Sequence, residues 1–402
     1  MNARYRQALL DEIQLLDPSK RKLSSIYFGG GTPSLAPTDT IKAVLDTIRQ
    51  NFEIDVDAEI TMEMDPGTFD ETQLRQLADI GINRISLGVQ ALDDKVLEQI
   101  GRVHRIKDVY DAIGIIQRVF DHPEKKPNYS IDLISGLPGV SLAAWADTLE
   151  TTLTDLQPNH ISIYDLQIEK DTVFGKWYDD DDNDVPSTTT AAAAGSGTAA
   201  PRLFLPSPDD CAYMYRYAAG YLRHKGYEHY EISSYALEGK RSRHNQVYWG
   251  YETEWFAIGL GSTSFLNNHR HPRPRAMSDY IDWVKQQQVL KKTDWVPSLQ
   301  QLEDDDETSS SSAESPDGER MTDVIMTRLR TIDGLDLKWL GKVYGHTIVE
   351  SVLRGAELAL DLELATVDDD QTLRLTDPKG FLFSNTIVSS IFVELDDDNS
   401  QG

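Results

Sequence analysis

The stretch Tyr27-Phe28-Gly29-Gly30-Gly31-Thr32-Pro33-Ser34 decides the fold class of this chain. Its three glycines follow directly on a β-branched and aromatic run, which places flexible backbone at the carboxyl end of a predicted strand. Backbone N–H groups can approach a ligand there because no Cβ stands in the way, and α/β folds bind small molecules at this edge of their sheets. The alternative for the stretch by itself is a turn that only reverses the chain.

Downstream, short β-rich runs alternate with amphipathic helical stretches, the pattern that builds parallel sheets from βαβ units. The predicted strands are 25–28, 59–63, 84–88, 130–134, 161–164 and 227–232. The predicted helices are 38–51, 70–78, 93–99, 106–120, 142–156 and 208–225. Units of about 30 residues are typical of βαβ repeats, so we expect an α/β fold built as a (β/α) barrel. Because a predicted helix, 5–15, stands before the first strand, we expect an incomplete barrel whose sheet lacks its first strand.

Two segments interrupt this alternation. Residues 179–207 form an acidic, low-complexity insertion, and residues 301–319 form an acidic, Ser-rich linker. They divide the chain into a core at 1–178, the end of the core at 208–300 and a C-terminal region at 320–402. The helix, helix, strand pattern of this last region predicts a small α+β, winged-helix-like domain.

The composition excludes several classes of protein. The formal net charge is −27, much of it in acidic runs, which argues against nucleic-acid binding because that needs clustered Lys and Arg. The C-terminal region shows no basic recognition helix. No apolar run approaches the roughly 20 residues that a transmembrane helix needs. Cys211 is the single cysteine of the sequence, which excludes an internal disulfide and a metal site built from several of its cysteines.

Polar residues recur at the ends of the predicted strands. Glu63, Gln90, Asp132 and Gln167 lie at or just beyond four β runs, on the rim where a (β/α) barrel collects ligand contacts. A carboxylate suits the vicinal hydroxyls of a ribose because it accepts two hydrogen bonds, and a Gln side chain both donates and accepts. Considered singly, each residue is better explained as a helix cap or a loop contact. Four in register indicate a binding site.

Four segments resemble the radical S-adenosylmethionine (SAM) proteins of the oxygen-independent coproporphyrinogen III oxidase group. They are Gly29-Gly30-Gly31-Thr32-Pro33-Ser34, Glu59-Ile60-Thr61-Met62-Glu63-Met64-Asp65-Pro66-Gly67-Thr68, Asn83-Arg84-Ile85-Ser86-Leu87-Gly88-Val89-Gln90 and Ile131-Asp132-Leu133-Ile134-Ser135-Gly136-Leu137-Pro138. Further on, His244-Asn245-Gln246-Val247-Tyr248-Trp249 resembles the HNxxYW motif of the HemW branch, the haem chaperones. The similarity covers essentially the whole chain apart from the two insertions, and it implies a radical-SAM-type barrel.

The resemblance implies a binding site for SAM. It makes Gly30, Gly31 and Thr32 the backbone cradle for the methionyl end of SAM. The other SAM contacts that it implies are Glu63, Gln90, Arg102, Asp132 and Gln167. The chemistry of these residues agrees with that role, because Gly backbone groups can bind the charged ends of an amino acid and Arg102 can pair with its carboxylate.

The same resemblance implies a [4Fe–4S] cluster held by three cysteines in a CxxxCxxC pattern after the first strand. That pattern does not occur in the 402 residues. Cys211 lies in a different repeat, and one thiolate cannot replace three. We therefore expect either a truncated N-terminus or a degenerate protein, and no reductive cleavage of SAM by the chain as given.

His244 is the candidate ligand for haem iron that the HNxxYW motif implies. It follows the basic run 240–243 and precedes Tyr248 and Trp249. Imidazole is a common axial haem ligand, aromatic faces can cover a porphyrin, and arginines can pair with propionates. We expect a partly exposed histidine that contributes little to the core. The alternative for an isolated motif is a turn histidine with both aromatic residues buried.

Two functions stay open on the sequence. The first is a haem-binding chaperone of the HemW type, with haem and SAM as ligands, haem-accepting apoproteins as partners and a dimer as a candidate assembly. The second is an oxygen-independent coproporphyrinogen III oxidase, which uses SAM and a [4Fe–4S] cluster to convert propionates to vinyls. The HNxxYW motif favours the first. The expected compartment is the cytoplasm, or a mitochondrion or plastid if a targeting segment preceded Met1.

Overall fold

The computed structural model describes residues 3–17, 22–120, 127–168, 204–251, 253–292 and 316–401. The predicted linker up to residue 315 and most of the predicted insertion lie outside these residues. The helices are α1 (Ala3–Leu15), α2 (Thr38–Asn51), α3 (Glu71–Asp79), α4 (Asp94–Gln99), α5 (Ile106–Phe120), α6 (Leu142–Thr151), α7 (Pro208–His224), α8 (Arg243–Tyr248), α9 (Met277–Lys292), α10 (Pro316–Leu329), α11 (Leu337–Tyr344), α12 (His346–Asp361), α13 (Lys379–Leu382) and α14 (Ser384–Gln401). The strands are β1 (Lys22–Phe28), β2 (Glu53–Met64), β3 (Arg84–Gln90), β4 (Tyr129–Ser135), β5 (His160–Asp165), β6 (Glu228–Glu231), β7 (Ser234–Ala236), β8 (Thr263–Leu266), β9 (His269–Pro272), β10 (Leu335–Asp336), β11 (Ala365–Val367) and β12 (Thr372–Leu375).

The largest sheet has seven strands in the order β1-β2-β3-β4-β5-β7-β6. Strands β1 to β5 run parallel, with helices in the connections between them. β1 and β6 form the two edges, so the sheet in the described residues does not close. The prediction of an α/β fold with an incomplete (β/α) barrel is confirmed. In the described part of the chain, α1 precedes β1.

Two predicted elements differ in the structure. The prediction of a sixth parallel strand over 227–232 is wrong, because β6 and β7 form an antiparallel hairpin and β7 pairs antiparallel with β5. The Glu231 carboxylate closes the turn by accepting hydrogen bonds from the Ser233 N–H (3.0 Å) and the Ser234 hydroxyl (2.9 Å). The helix predicted for 142–156 changes to a π-helical turn at Thr152 and ends before Gln157, which takes a left-handed conformation at φ 48°.

The main hydrophobic core lies between the large sheet and its helices. Alternate strand residues such as Ile26, Met62 and Leu87 are buried there, together with Leu45 of α2 and Ile113 of α5. Apolar spacing on one side of each helix explains why these helices pack on the sheet. Since successive strand residues point to opposite faces, the intervening residues of β1 to β5 lie on the other face.

That other face of the sheet is polar, whereas the interior of a (β/α) barrel is ordinarily filled by branched aliphatic side chains. Parallel pairing places Ser25 beside Glu59, and Thr61 beside Arg84. The polar residues that share the face are Ser25, Tyr27, Glu59, Thr61, Glu63, Arg84, Ser86, Ser130, Asp132, His160 and Ser162. Burying such groups costs free energy unless they are hydrogen-bonded, so their accumulation indicates a ligand-binding interior.

The C-terminal residues 316–401 form a small α+β domain with its own hydrophobic core. The order α10, β10, α11, α12, β11, β12, with a three-stranded antiparallel sheet, is that of a winged helix, which confirms the prediction. The domain docks on the outer edge of β6. The Ile232 N–H donates to the Arg330 carbonyl (3.0 Å), and the Ile332 N–H donates to the Tyr230 carbonyl (3.1 Å).

The hairpin β8–β9 and helix α9 are elements that the sequence pattern does not predict. Helix α9 packs against α1, and a buried carboxylate reinforces the contact. Glu12 accepts hydrogen bonds from Arg273 Nε (2.7 Å), the Tyr280 hydroxyl (2.6 Å) and the Gly259 N–H (3.0 Å). These bonds compensate the desolvation of Glu12 and fix α1 in place.

Matched valine substitutions test the assignment of the main core. Val109 of α5 is fully buried, whereas Val56 of β2 is fully exposed. We expect Val109→Ala to lower the free energy of unfolding by about 2 kcal/mol, because it removes two buried methyl groups and leaves a cavity. Val56→Ala should change it by no more than about 0.5 kcal/mol. Urea denaturation followed by circular dichroism measures both, and equal losses would contradict the assignment.

Candidate functional site

The glycine-rich loop after β1 is exposed and has open space above two of its residues. Gly30 and Gly31 have φ values of 81° and 62°, and a Cβ added to either would meet nothing within 4 Å. Gly29 is different, because an added Cβ would lie 2.7 Å from the Tyr27 ring and 3.1 Å from Glu63 Oε1. The loop therefore presents bare backbone to solvent on one side and packs closely on Tyr27 and Glu63 on the other.

Glu63, at the end of β2, connects this loop to the sheet. Its Oε2 accepts a hydrogen bond from the Gly30 N–H (3.0 Å), and its Oε1 accepts one from the Tyr27 hydroxyl (2.8 Å). Burial, together with the nearby charge of Glu63, raises the pKa of Tyr27 well above its ordinary value. The phenol therefore stays protonated and remains a donor to the carboxylate.

A second set of polar contacts lies beside the first, centred on Asp65. The Thr32 hydroxyl donates to Asp65 Oδ2 (3.1 Å), and Arg102 Nη1 lies 3.6 Å from Asp65 Oδ1. A Cβ on Gly88 would lie 2.8 Å from Asp65 Oδ1 and 3.0 Å from Gln90 Nε2, so both side chains pack over bare backbone. Gln90 itself has φ 68°, a left-handed conformation of the kind that clusters at functional sites.

Asp132 of β4 completes the cluster on the neighbouring strand. Its carboxylate accepts a hydrogen bond from the Ser86 hydroxyl (3.1 Å), and Ser86 is the register partner of Glu63. Burial raises the pKa of Asp132 to about 6, while hydrogen bonds from Ser162 and Ser86 act in the opposite direction. A carboxylate that can take or release a proton near neutral pH is a common feature of binding and catalytic sites.

The structure thus brings most of the predicted SAM residues to the carboxyl ends of β1 to β4. The residues that it brings together are Gly30, Gly31, Thr32, Glu63, Gln90, Arg102 and Asp132. Gln167 is exposed two residues beyond β5, and no hydrogen bond among the described residues joins it to this set. Asp65 and Tyr27 contact this set without a predicted role, although Asp65 lies within a segment that carries the family resemblance and Tyr27 lies two residues before one.

His244 lies on the short helix α8, which packs against β1. Its Nδ1 is 3.0 Å from Ser25 Oγ, and its Nε2 is 2.8 Å from the Tyr248 hydroxyl. The imidazole stacks on the Tyr27 ring with centroids 4.8 Å apart and planes 17° apart. Burial, aided by the positive charge of Arg84, lowers the pKa of His244 to about 4. The ring is therefore neutral at physiological pH. His244 is half-buried, as expected of a partly exposed histidine, and its small contribution to the core stays a prediction.

Trp249, the other aromatic residue of the predicted haem site, has different neighbours from His244. Trp249 lies near Tyr230, with ring centroids 5.8 Å apart, and its carbonyl accepts a hydrogen bond from Arg328 of the C-terminal domain. Its ring thus has Tyr230 as a neighbour, whereas His244 and Tyr248 contact each other, four residues apart on one face of the helix.

The arginines before the motif already have acidic partners. Arg241 forms ion pairs with Glu228 and Asp333, and Arg243 forms one with Asp57. A porphyrin propionate would have to compete with these carboxylates for either guanidinium.

Arg84 is a further residue whose importance the sequence does not indicate. It begins β3, is 2% exposed and lies 3.9 Å (Nε to Oε2) from Glu59, which is also buried. Within the described part of the chain its Nε has no hydrogen-bond partner. Glu59 also accepts the His244 N–H (3.1 Å), so this buried ion pair underlies helix α8. Burial lowers the pKa of His160 well below its ordinary value, and the positive charge of Arg84 adds to this effect.

Neither a metal-binding cluster nor a membrane-spanning helix is found in the described residues. No group of three or more His, Cys, Asp or Glu side chains in the described ranges is arranged to hold a metal ion. Cys211 lies on α7, and burial raises the pKa of its thiol. None of the described helices combines the length and apolar character needed to cross a membrane.

An open (β/α) sheet with a glycine-rich loop after its first strand and polar strand ends defines a protein of the radical SAM type. Residues 3–152 match the sequence pattern of the radical SAM superfamily. A protein from Synechocystis sp. named heme chaperone HemW is 33% identical, over 98% of this chain and 89% of its own length. The chain therefore belongs to the HemW family.

A second sequence relative and a solved structure are also similar to this chain. A Bos taurus protein named radical S-adenosyl methionine domain-containing protein 1, mitochondrial, is 32% identical, over 65% of this chain and 53% of its own length. Among solved structures, the coproporphyrinogen III oxidase HemN from Escherichia coli aligns with a TM-score of 0.71 at 19% identity, covering 96% of this chain and 82% of that one. This likeness confirms the fold.

The pH dependence of stability tests the environment of Asp132. Because burial raises its pKa from 3.8 to about 6, the folded protein retains between these values a proton that the unfolded chain has released. This contribution to stability is complete below the unfolded pKa and is lost as the pH rises through the folded one. We expect the stability of Asp132→Asn, relative to wild type, to increase as the pH rises from about 4 to about 7. Urea denaturation at a series of pH values measures this, and a difference independent of pH would contradict it.

Proposed function

We propose that this protein is a haem-binding chaperone of the HemW type, which binds haem through His244 and passes it to haem-accepting apoproteins. The observation that carries the proposal is the state of His244. It is a neutral imidazole hydrogen-bonded at Nδ1 to Ser25, with Nε2 directed at the hydroxyl of Tyr248, which is 40% exposed. The name of the cyanobacterial relative supports the same function.

His244 can act as an iron ligand if the side chain of Tyr248 moves away from its Nε2. In the tautomer protonated at Nδ1, the ring donates to Ser25 Oγ, which fixes the ring plane and leaves the Nε2 lone pair facing Tyr248. Hydrogen bonds of this kind orient metal-binding histidines in many proteins. Haem iron would take the place of the Tyr248 hydroxyl. Because Tyr248 is partly exposed, its side chain has solvent to move into.

We further propose that SAM binds at the glycine-rich loop, with contacts from Gly30, Gly31, Thr32, Glu63, Gln90, Arg102 and Asp132 and with Gln167 as an outlying candidate. The residues fit this ligand. The open space over Gly30 and Gly31 admits the amino-acid end of SAM close to the backbone, and the carboxylate of Glu63 complements its ammonium group. Asp132 offers a carboxylate for ribose hydroxyls.

The [4Fe–4S] cluster that the radical SAM family implies does not fit the residues of this chain. The sequence has one cysteine, Cys211, on α7, and a cluster with one iron open to SAM needs three thiolates. No part of the proposed haem function passes through a cluster. The alternative function, oxygen-independent coproporphyrinogen III oxidase, rests on the fold shared with HemN. The chaperone function is the better supported, because the relative with that name is similar over nearly the whole chain.

The compartment and the assembly are parts of the proposal. The relatives include a bacterial protein and one named mitochondrial, so we propose the cytoplasm, or an organelle such as the mitochondrion or plastid. A dimer is the assembly to test by light scattering. Haem transfer itself would be assayed with an apoprotein acceptor, by the change of the haem spectrum on mixing.

Titration with haemin tests the role of His244. We expect wild type to give a Soret shift typical of histidine ligation. His244→Gln should weaken haemin binding at least about tenfold, since changes to hydrogen-bond partners of metal ligands alone cost ten- to hundredfold. Gln keeps a side chain that can bond to Ser25 or Tyr248, so the variant should stay folded by circular dichroism.

A second histidine provides the control for this titration. His224, at the end of α7, is exposed, and His224→Ala should bind haemin as wild type does. Wild-type affinity in a folded His244→Gln variant would show that the haem ligand lies elsewhere. A loss of affinity in both variants would indicate non-specific binding of haemin to surface histidines.

A further inference from the structure

The two proposed ligand sites share one side chain, that of Tyr27. Its hydroxyl donates to Glu63 (2.8 Å) at the glycine-rich loop, and its ring stacks on the imidazole of His244 (4.8 Å between centroids). Glu63 in turn accepts the Gly30 N–H (3.0 Å). A continuous series of three contacts therefore runs from the loop backbone to the proposed haem ligand.

The ring of Tyr27 has little room to move independently of either site. The backbone of Gly29 lies so close that a Cβ there would come within 2.7 Å of the ring. The ring also stacks on the imidazole of His244, whose Nδ1 is held by Ser25, the neighbouring residue on the same face of β1. A displacement of Glu63 with the loop is therefore transmitted to Tyr27 through its hydroxyl bond, and a displacement of Tyr27 alters the packing of the imidazole.

We propose that Tyr27 couples the glycine-rich loop to His244, so that SAM at the loop and haem iron at His244 alter each other's affinity. This inference rests on the proposed function. When SAM fixes the loop and Glu63, Tyr27 is held against the imidazole in the orientation that ligation needs, so SAM favours haem. Thermodynamic linkage requires haem to favour SAM by the same factor.

The first experiment measures this coupling directly, by titrating haemin into the full chain with and without SAM. In wild type we expect SAM to lower the haemin dissociation constant about fivefold or more, the usual lower range for coupled sites. In Tyr27→Phe the stacked ring remains but its hydroxyl bond to Glu63 is lost, so haemin should bind with a dissociation constant that SAM does not change. Tyr110→Phe removes an exposed hydroxyl that bonds only to Asp155 in the described residues, and it should retain the SAM effect.

The second experiment needs no SAM, because it perturbs the carboxylate itself. Glu63→Gln should change the haemin dissociation constant several-fold in the wild-type background and leave it unchanged in the Tyr27→Phe background, since a double-mutant cycle isolates an interaction between two residues. Glu71→Gln makes the same chemical change at a carboxylate on α3 that bonds to Arg75 and Arg118, and it should not alter haemin affinity.

The outcomes separate this inference from the proposed function. Absence of a histidine-type Soret shift in wild type would overturn the proposed function, and the coupling with it. Normal haemin binding that responds neither to SAM nor to Glu63→Gln would overturn the coupling alone. A response that persists in Tyr27→Phe would show that the two sites communicate without the bond from the Tyr27 hydroxyl to Glu63 and would overturn the role assigned to it.

Discussion

The parallel register of β1 to β5 is the constraint on which the rest of the structure depends. Residues paired across parallel strands point to the same face, so the apolar set that packs on the helices determines where the polar set lies. That second set includes the buried pair Glu59 and Arg84, together with Glu63 and Asp132. Packing alone gives no reason to bury so many polar groups, since each must recover its desolvation cost. Ligand binding explains why so many polar groups lie on this face of the sheet.

The fold follows from the sequence where local signals agree with the tertiary arrangement. Helices Thr38–Asn51 and Ile106–Phe120 begin and end where the apolar spacing predicts, and glycines after the strands indicate the edge that carries the site. The hairpin β6–β7 could not be predicted in this way. The β-rich composition of 227–232 is the same for a parallel strand and a hairpin, and the bonds from Ser233 and Ser234 to Glu231 that close the turn exist only in the folded chain.

The same distinction applies to the candidate site. Glu63 and Asp132 were predicted because a carboxylate at a strand end is visible in the sequence. Tyr27 has no such signal, since an aromatic residue in a strand is ordinarily a packing residue. Its role depends on Glu63, 36 positions away, and on His244. The contacts of His244 could not be predicted for the same reason, because Ser25 and Tyr27 reach it only through the packing of α8 on β1.

The central claim is that His244 supplies the nitrogen ligand of bound haem iron. Resonance Raman spectroscopy of the reduced haem complex tests it most directly, through the iron–histidine stretching band and its isotope shift in protein labelled with ¹⁵N at histidine. We expect wild type to show an iron–histidine band that shifts on ¹⁵N labelling, and we expect this band to be absent from the folded His244→Gln variant. An unchanged band in that variant, or the absence of any such band in wild type, would contradict it.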